Sequence, residues 1–136
     1  MSDAENQPLV MVVDDDEDFR DMIRDYLKDK GYRVIAASSG PEALRLSENA
    51  PPDVVLLDIM MPQKDGYETC RDLRKSNQTK ASTIVMLTVK DQLGDKLSAY
   101  IAGAHRFISK TADLEEIGSC LNKVLVQRRL NHENIS

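Results

Sequence analysis

Val54-Val55-Leu56-Leu57-Asp58-Ile59-Met60-Met61-Pro62-Gln63-Lys64-Asp65-Gly66 is the stretch whose reading decides the fold. Four aliphatic residues run without a polar interruption, stop at a carboxylate, and lead into a segment that turns at Pro62 and Gly66. An unbroken β-branched and aliphatic run of this length reads as a strand buried on both faces, as in a parallel sheet covered by helices. A carboxylate ending such a strand sits at the mouth of the sheet. The same construction recurs upstream, where Leu9-Val10-Met11-Val12-Val13 runs into Asp14-Asp15-Asp16.

Outward from these two, the segments Tyr32 to Ala37, Ser82 to Thr88 and Arg106 to Ser109 read as further strands. Helical periodicity fills the gaps. Phe19, Met22, Ile23, Tyr26 and Leu27 form one apolar stripe, as do Leu93, Leu97, Tyr100 and Ile101, and Leu114, Ile117, Leu121, Val124 and Leu125. Gly31 reads as a helix stop, and Ser39 with Glu42 as a capping box. Thr111, followed by Asp113, Glu115 and Glu116, has the anionic first turn that a helix N-terminus favours. Five strands alternating with five helices imply right-handed crossovers and a doubly wound α/β sheet.

The 136 residues fit one domain, over 9–129, with polar, aperiodic stretches at 1–8 and 130–136 read as an N-terminal tail and a C-terminal tail or linker start. The opening Met1-Ser2-Asp3 has the composition of a natural start. Acidic residues outnumber basic ones, 23 to 18, for a formal charge of −5, which disfavours a broad nucleic-acid surface. Cys70 and Cys120 lack metal-ligand spacing and read as reduced thiols. With no signal peptide and no apolar stretch of membrane-spanning length, a cytoplasmic protein without membrane contact is expected.

Ligands of an open parallel sheet bind beyond the carboxyl ends of its strands, where the strand order reverses. The strand ends here supply Asp14, Asp15, Asp58, Thr88 and Lys110, while the second strand offers only Ala36 to Ser38. With the first and third strands adjacent, three carboxylates converge within roughly 5 Å, each pair repelling by about 3 kcal/mol at an effective dielectric near 20. Such a cluster needs a cation, and an all-oxygen set without a nearby histidine suits Mg²⁺, with Mn²⁺ possible, rather than zinc. Lys110 and the Thr88 hydroxyl supply a point charge and a donor for the oxygens of a phosphoryl group. The chemistry indicated is phosphoryl transfer to a carboxylate, with Asp58 as nucleophile.

As an ordered set, Val13-Asp14-Asp15-Asp16, Asp58-Ile59-Met60-Met61-Pro62 with Asp65-Gly66, Leu87-Thr88, Gly103-Ala104 and Lys110 resemble a response-regulator receiver domain of two-component signalling, of the CheY-like superfamily, over roughly residues 9–128. The resemblance implies a (βα)₅ flavodoxin-like sheet with strand order 2-1-3-4-5. It also implies a signalling switch rather than a turnover enzyme, phosphorylated by a sensor histidine kinase or a histidine phosphotransfer protein. Asp58 would be the phosphoacceptor. Asp15, Asp58 and the Met60 main-chain carbonyl would ligate Mg²⁺ directly, and Asp14 mainly through water. Thr88 would be the switch hydroxyl, Phe107 its aromatic partner and Lys110 the phosphate-binding cation. Output would pass to a downstream protein through the fourth helix, fifth strand and fifth helix, around Lys90 to Ile101 and Phe107, with no direct nucleic-acid binding by this chain. Where family members carry Lys-Pro with a cis bond, this chain has Lys110-Thr111. A trans bond is expected there, because cis costs about 2.5–4 kcal/mol before a residue other than proline, and it frees Thr111 to cap the last helix.

The other class considered is a pseudo-receiver, which would keep the fold and bind partners without phosphorylation. A dehalogenase-type phosphatase needs a second acid where Met60 stands. A flavodoxin needs Ser, Thr and Gly donors after the first strand, and an NTPase a Gly-rich phosphate loop; both are missing.

Overall fold

The five apolar segments form strands β1 (Leu9–Val13), β2 (Arg33–Ala37), β3 (Val54–Asp58), β4 (Thr83–Thr88) and β5 (Arg106–Ser109). In this computed structural model, which describes residues 7–61, 66–89, 100 and 102–135, they make one sheet of order β2-β1-β3-β4-β5. Every pairing is parallel, with Val13 beside Leu57, Asp58 beside Leu87 and Thr88 beside Ser109. The order reverses between β1 and β3, which places the ends carrying Asp14 and Asp58 side by side.

Four helices are described: α1 (Glu17–Asp29), α2 (Gly40–Ser47), α3 (Gly66–Lys75) and α4 (Leu114–Ile135). The stripe expected between β4 and β5 lies outside the described residues except for Tyr100, as do Pro62 and Asp65 of the loop after β3. Alternate residues of each strand face opposite sides, and both sides are apolar. Val10, Val12, Leu56, Val85 and Leu87 pack with Phe19, Ile23 and Leu27 of α1 and Ile117, Leu121 and Val124 of α4. Met11, Val13, Leu57, Ile84 and Met86 pack with Ala43 of α2 and with Cys70 and Leu73 of α3. Helices therefore cover both faces, and the flavodoxin-like doubly wound fold follows from that coverage.

Boundary chemistry sets the ends of the helices. Asp16 accepts the amide of Phe19 and caps α1, which stops before Gly31 at φ +95°. At α2 the Ser39 hydroxyl accepts the Glu42 amide, and the Glu42 carboxylate reaches back to the amide of Ser38, one residue beyond the usual capping-box target. Met22, placed in the α1 stripe by periodicity, is 47% exposed, so the buried face of α1 is narrower than the pattern suggests.

Two expectations are corrected. Thr111 does not cap the last helix; the Asp113 carboxylate accepts the amide of Glu116 and takes that position. The Thr111 hydroxyl instead meets that of Ser109 at 2.7 Å, because the turn after β5 brings these side chains together before the helix begins at Leu114. Residues 130–135, read as an irregular tail, continue α4 through Ile135. Their polarity removes the apolar stripe from which a helix is recognised, whereas the backbone ladder and a Gln127–Asn131 side-chain hydrogen bond need no apolar face.

Candidate functional site

The end of β1 is tied down from three directions. The Asp14 amide donates to the carbonyl of Ala37, the Asp14 carbonyl accepts from the Arg20 guanidinium at 2.7 Å, and Asp14 Oδ1 accepts from the amide of Asp16. The edge strand β2, whose end offers no site side chain, thus supplies a backbone acceptor that positions an acid within the site. Asp14 is fully buried, while Asp15, next in the chain, points into solvent.

Asp58 ends β3 and is 1% exposed. Its Oδ1 accepts from the amide of Met60 at 3.1 Å. Gly66, the first residue of α3, approaches so closely that a Cβ there would overlap the Asp58 carbonyl oxygen, which explains why a residue without a side chain occupies the site. Met60 is exposed by its side chain and lies at the rim. Carboxylate oxygens of Asp14, Asp15 and Asp58 lie within 4.8 Å of one another, so the convergence expected from the strand ends is present.

Lys110 follows β5 and reaches across to both buried acids, at 2.8 Å from Asp14 Oδ2 and 3.4 Å from Asp58 Oδ2. The contact with Asp14 is one of charge, off the direction a hydrogen bond needs, which leaves that buried oxygen without a donor. The Lys110 amide is held by the Thr88 carbonyl at 2.7 Å, the Thr111 amide by the Ser109 hydroxyl, and the Lys110–Thr111 peptide is trans. The Lys110 ammonium also stands 4.8 Å from the centre of the Phe19 ring, a cation–π contact that desolvates and orients it.

Among the described residues, charge at the centre is not balanced: Asp14 and Asp58 share the Lys110 ammonium, and the Asp15 carboxylate lies beside them. Burial, reinforced by the Asp14 carboxylate, raises the Asp58 carboxyl to about 6, against the opposing pull of the Met60 amide and Lys110. Desolvation works to lower the Lys110 ammonium, but its contacts with Asp14 and Asp58 outweigh that and hold it above its ordinary value. Excess negative charge in an all-oxygen site, with one buried oxygen lacking a donor, fits a hard divalent cation.

Thr88 is 6% exposed at the end of β4, one residue past Leu87, the partner of Asp58 across the sheet ladder. Phe107, on β5, packs partly buried and meets Tyr100 edge to face, with centroids 5.2 Å apart. These two rings, with Arg106, Cys120 and Lys123, line a cleft of about 280 Å³. Of the expected output face, residues 90–99 and 101 lie outside the described residues. Sequence reasoning missed Phe19, Arg20 and the Ala37 carbonyl. Phe19 was assigned to the core stripe, which it joins, and nothing local signals its second contact with a lysine 91 positions away.

The response regulator receiver domain model matches residues 10–122. The response regulator MprA of Mycobacterium sp. (strain KMS) is 41% identical over 108 residues, covering 79% of this chain and 46% of that protein. The alkaline phosphatase synthesis transcriptional regulatory protein PhoP of Bacillus subtilis is 37% identical over 116 residues, covering 85% and 48%. The chain spans about half the length of the curated relatives it matches. Among solved structures, the Vibrio cholerae chemotaxis protein CheY4 superposes with a TM-score of 0.84 at 32% identity, covering 87% of this chain and 98% of that one.

Proposed function

The chain belongs to the response regulator receiver domain family, and from that premise we propose that Asp58 is its phosphoacceptor, charged in a Mg²⁺-dependent reaction by a histidine kinase or histidine phosphotransfer protein. The observation that carries this reading is the unbalanced acid cluster, in which Asp14 and Asp58 are buried and share the Lys110 ammonium. An Asp58 carboxylate oxygen attacks phosphorus, the phosphorus–nitrogen bond of the donor phosphohistidine breaks, and the leaving imidazole nitrogen takes a proton. Mg²⁺, or Mn²⁺, held by Asp15, Asp58 and the Met60 carbonyl, with Asp14 acting through water, would neutralise the approaching phosphoryl oxygens. Lys110, already between Asp14 and Asp58, exchanges one anionic partner for another as the phosphoryl group arrives. Hydrolysis of the acyl phosphate by water restores Asp58, so the chain resets and does not turn over a free substrate.

Thr88 and Phe107 form the switch in this reading. The hydroxyl moves toward the phosphoryl oxygens, and the ring moves into the space behind it, altering its contact with Tyr100 and the cleft around Arg106 and Lys123. A downstream protein reads that face.

Incubation with acetyl phosphate and Mg²⁺ tests the assignment. One labile acyl phosphate per chain is expected in wild type and none in Asp58→Asn or in the presence of EDTA. Equal labelling of the Asn variant, or indifference to EDTA, removes Asp58 or the metal from the mechanism. Thr88→Ala should still accept the phosphoryl group but fail to transmit it. Chemical shifts of Tyr100 and Phe107 on adding beryllofluoride report this, and equal shifts in wild type and variant would end the coupling claim.

A further inference from the structure

His105, immediately before β5, lies outside the site and is used by none of the chemistry above. Its backbone amide donates to the carbonyl of Ile84 at 2.9 Å, as a residue entering a parallel ladder should. Regular pairing would next offer the Ile84 amide a carbonyl from Gly103. There the chain turns at φ +109°, in the left-handed region, and the strand has not yet begun. Imidazole Nδ1 of His105 accepts the Ile84 amide instead, at 3.0 Å. A side chain therefore closes the first rung of the β4–β5 ladder. Ile84 is fully buried, so its N–H has no recourse to water if that acceptor is lost.

We propose that His105 is a proton-operated latch that holds the start of β5 against β4, and so positions Phe107, on that short strand, and Lys110, directly after it. Neutral imidazole with hydrogen on Nε2 presents the Nδ1 lone pair to Ile84; imidazolium carries a proton there and opposes the amide donor with a second donor. Among the described residues, the charged groups that act on the ring are cationic, Arg74 from α3 and Arg128 from α4, with Arg106 next in the chain. The Asp53 carboxylate, which Arg128 meets at 3.8 Å, also accepts the amide of Leu9. Burial first, then Arg74 and Arg128, hold His105 below its ordinary value. A depressed histidine stabilises the fold in its neutral form, so the contribution is complete above the ordinary value near 6.5 and is lost as pH falls through the lower value of the folded chain.

The latch does not depend on phosphorylation of Asp58, and the unphosphorylated chain tests it, so either can fail alone. Long-range proton–nitrogen NMR should find the neutral Nε2–H tautomer at pH 7, with His132 as internal reference. Exchange of the Ile84 amide, corrected for intrinsic rate, should accelerate at least tenfold between pH 7 and pH 5. In His105→Asn the amide oxygen stands the same number of bonds from Cβ as Nδ1 and does not titrate, so Ile84 should stay protected at both pH values. The Nδ1–H tautomer in wild type, or an Ile84 amide whose protection ignores pH, overturns the proposal. So does the same acid loss in His105→Asn. Should the variant fail to fold, the two wild-type measurements decide alone.

Discussion

Asp58 is pulled in opposite directions by its neighbours, since burial and Asp14 favour its neutral form while the Met60 amide and Lys110 favour the carboxylate. The first two win, and the carboxyl sits at about 6 against an ordinary 3.8, a difference on the order of 3 kcal/mol between its protonation states. A carboxyl raised by folding stabilises the native state most below its ordinary value, and that contribution drains away as pH climbs through about 6. Without metal, Asp58→Asn is therefore expected to be more stable than wild type at pH 7 in EDTA, with the advantage gone near pH 4. Urea unfolding at the two pH values checks this, and equal differences at both would show that Asp58 carries no such burden. Gly66→Ala is expected to cost about 1–3 kcal/mol, because the added methyl overlaps the Asp58 carbonyl and the Ile59 backbone. The Ala variant should also bind Mg²⁺ more weakly; unchanged metal affinity would separate that contact from the site. At this scale the acids, Thr88 and Lys110 were legible because each ends an apolar run. The Phe19 and Arg20 contacts were not, because α1 must first dock on the sheet to bring them to Lys110 and Asp14.

Secondary-structure elements owe their ends to short-range chemistry, and here the last helix offers two candidate caps. Asp113 holds the amide of Glu116, whereas Thr111 is engaged with Ser109. Asp113→Ala should destabilise the protein by about 1 kcal/mol, while Thr111→Ala should cost clearly less. Thermal denaturation of both variants distinguishes them, and a larger loss in Thr111→Ala would reverse the assignment. Strand limits were legible to within one residue, at Tyr32 and Ser82, because runs of aliphatic and β-branched residues mark the strands. The extension of α4 past residue 129 was not, since a helix leaving the core has no stripe to display.

Across the whole molecule, the parallel sheet gathers side chains from three loops around one acidic centre, and a ligand binding only the folded form must stabilise it. Mg²⁺ at a hundred times its dissociation constant should add about 2.7 kcal/mol to unfolding. Asp15→Asn is the informative control: the side chain is exposed, so the fold should be retained while the Mg²⁺ increment shrinks. A full Mg²⁺ increment in that variant would take Asp15 out of the ligand set. The sequence by itself determined that strands alternate with helices, that the sheet is parallel and doubly covered, and that acids, a hydroxyl and a lysine stand at its strand ends. Those features repeat at periods of two and 3.6 residues or lie within a turn of one another, so local composition encodes them. Only the tertiary structure decided that Lys110 sits 2.8 Å from Asp14, that Phe19 lies beside its ammonium, and that His105 completes the ladder at Ile84. These contacts join segments up to 96 positions apart, and their geometry depends on strand register and helix docking, which the packing of both apolar faces sets together.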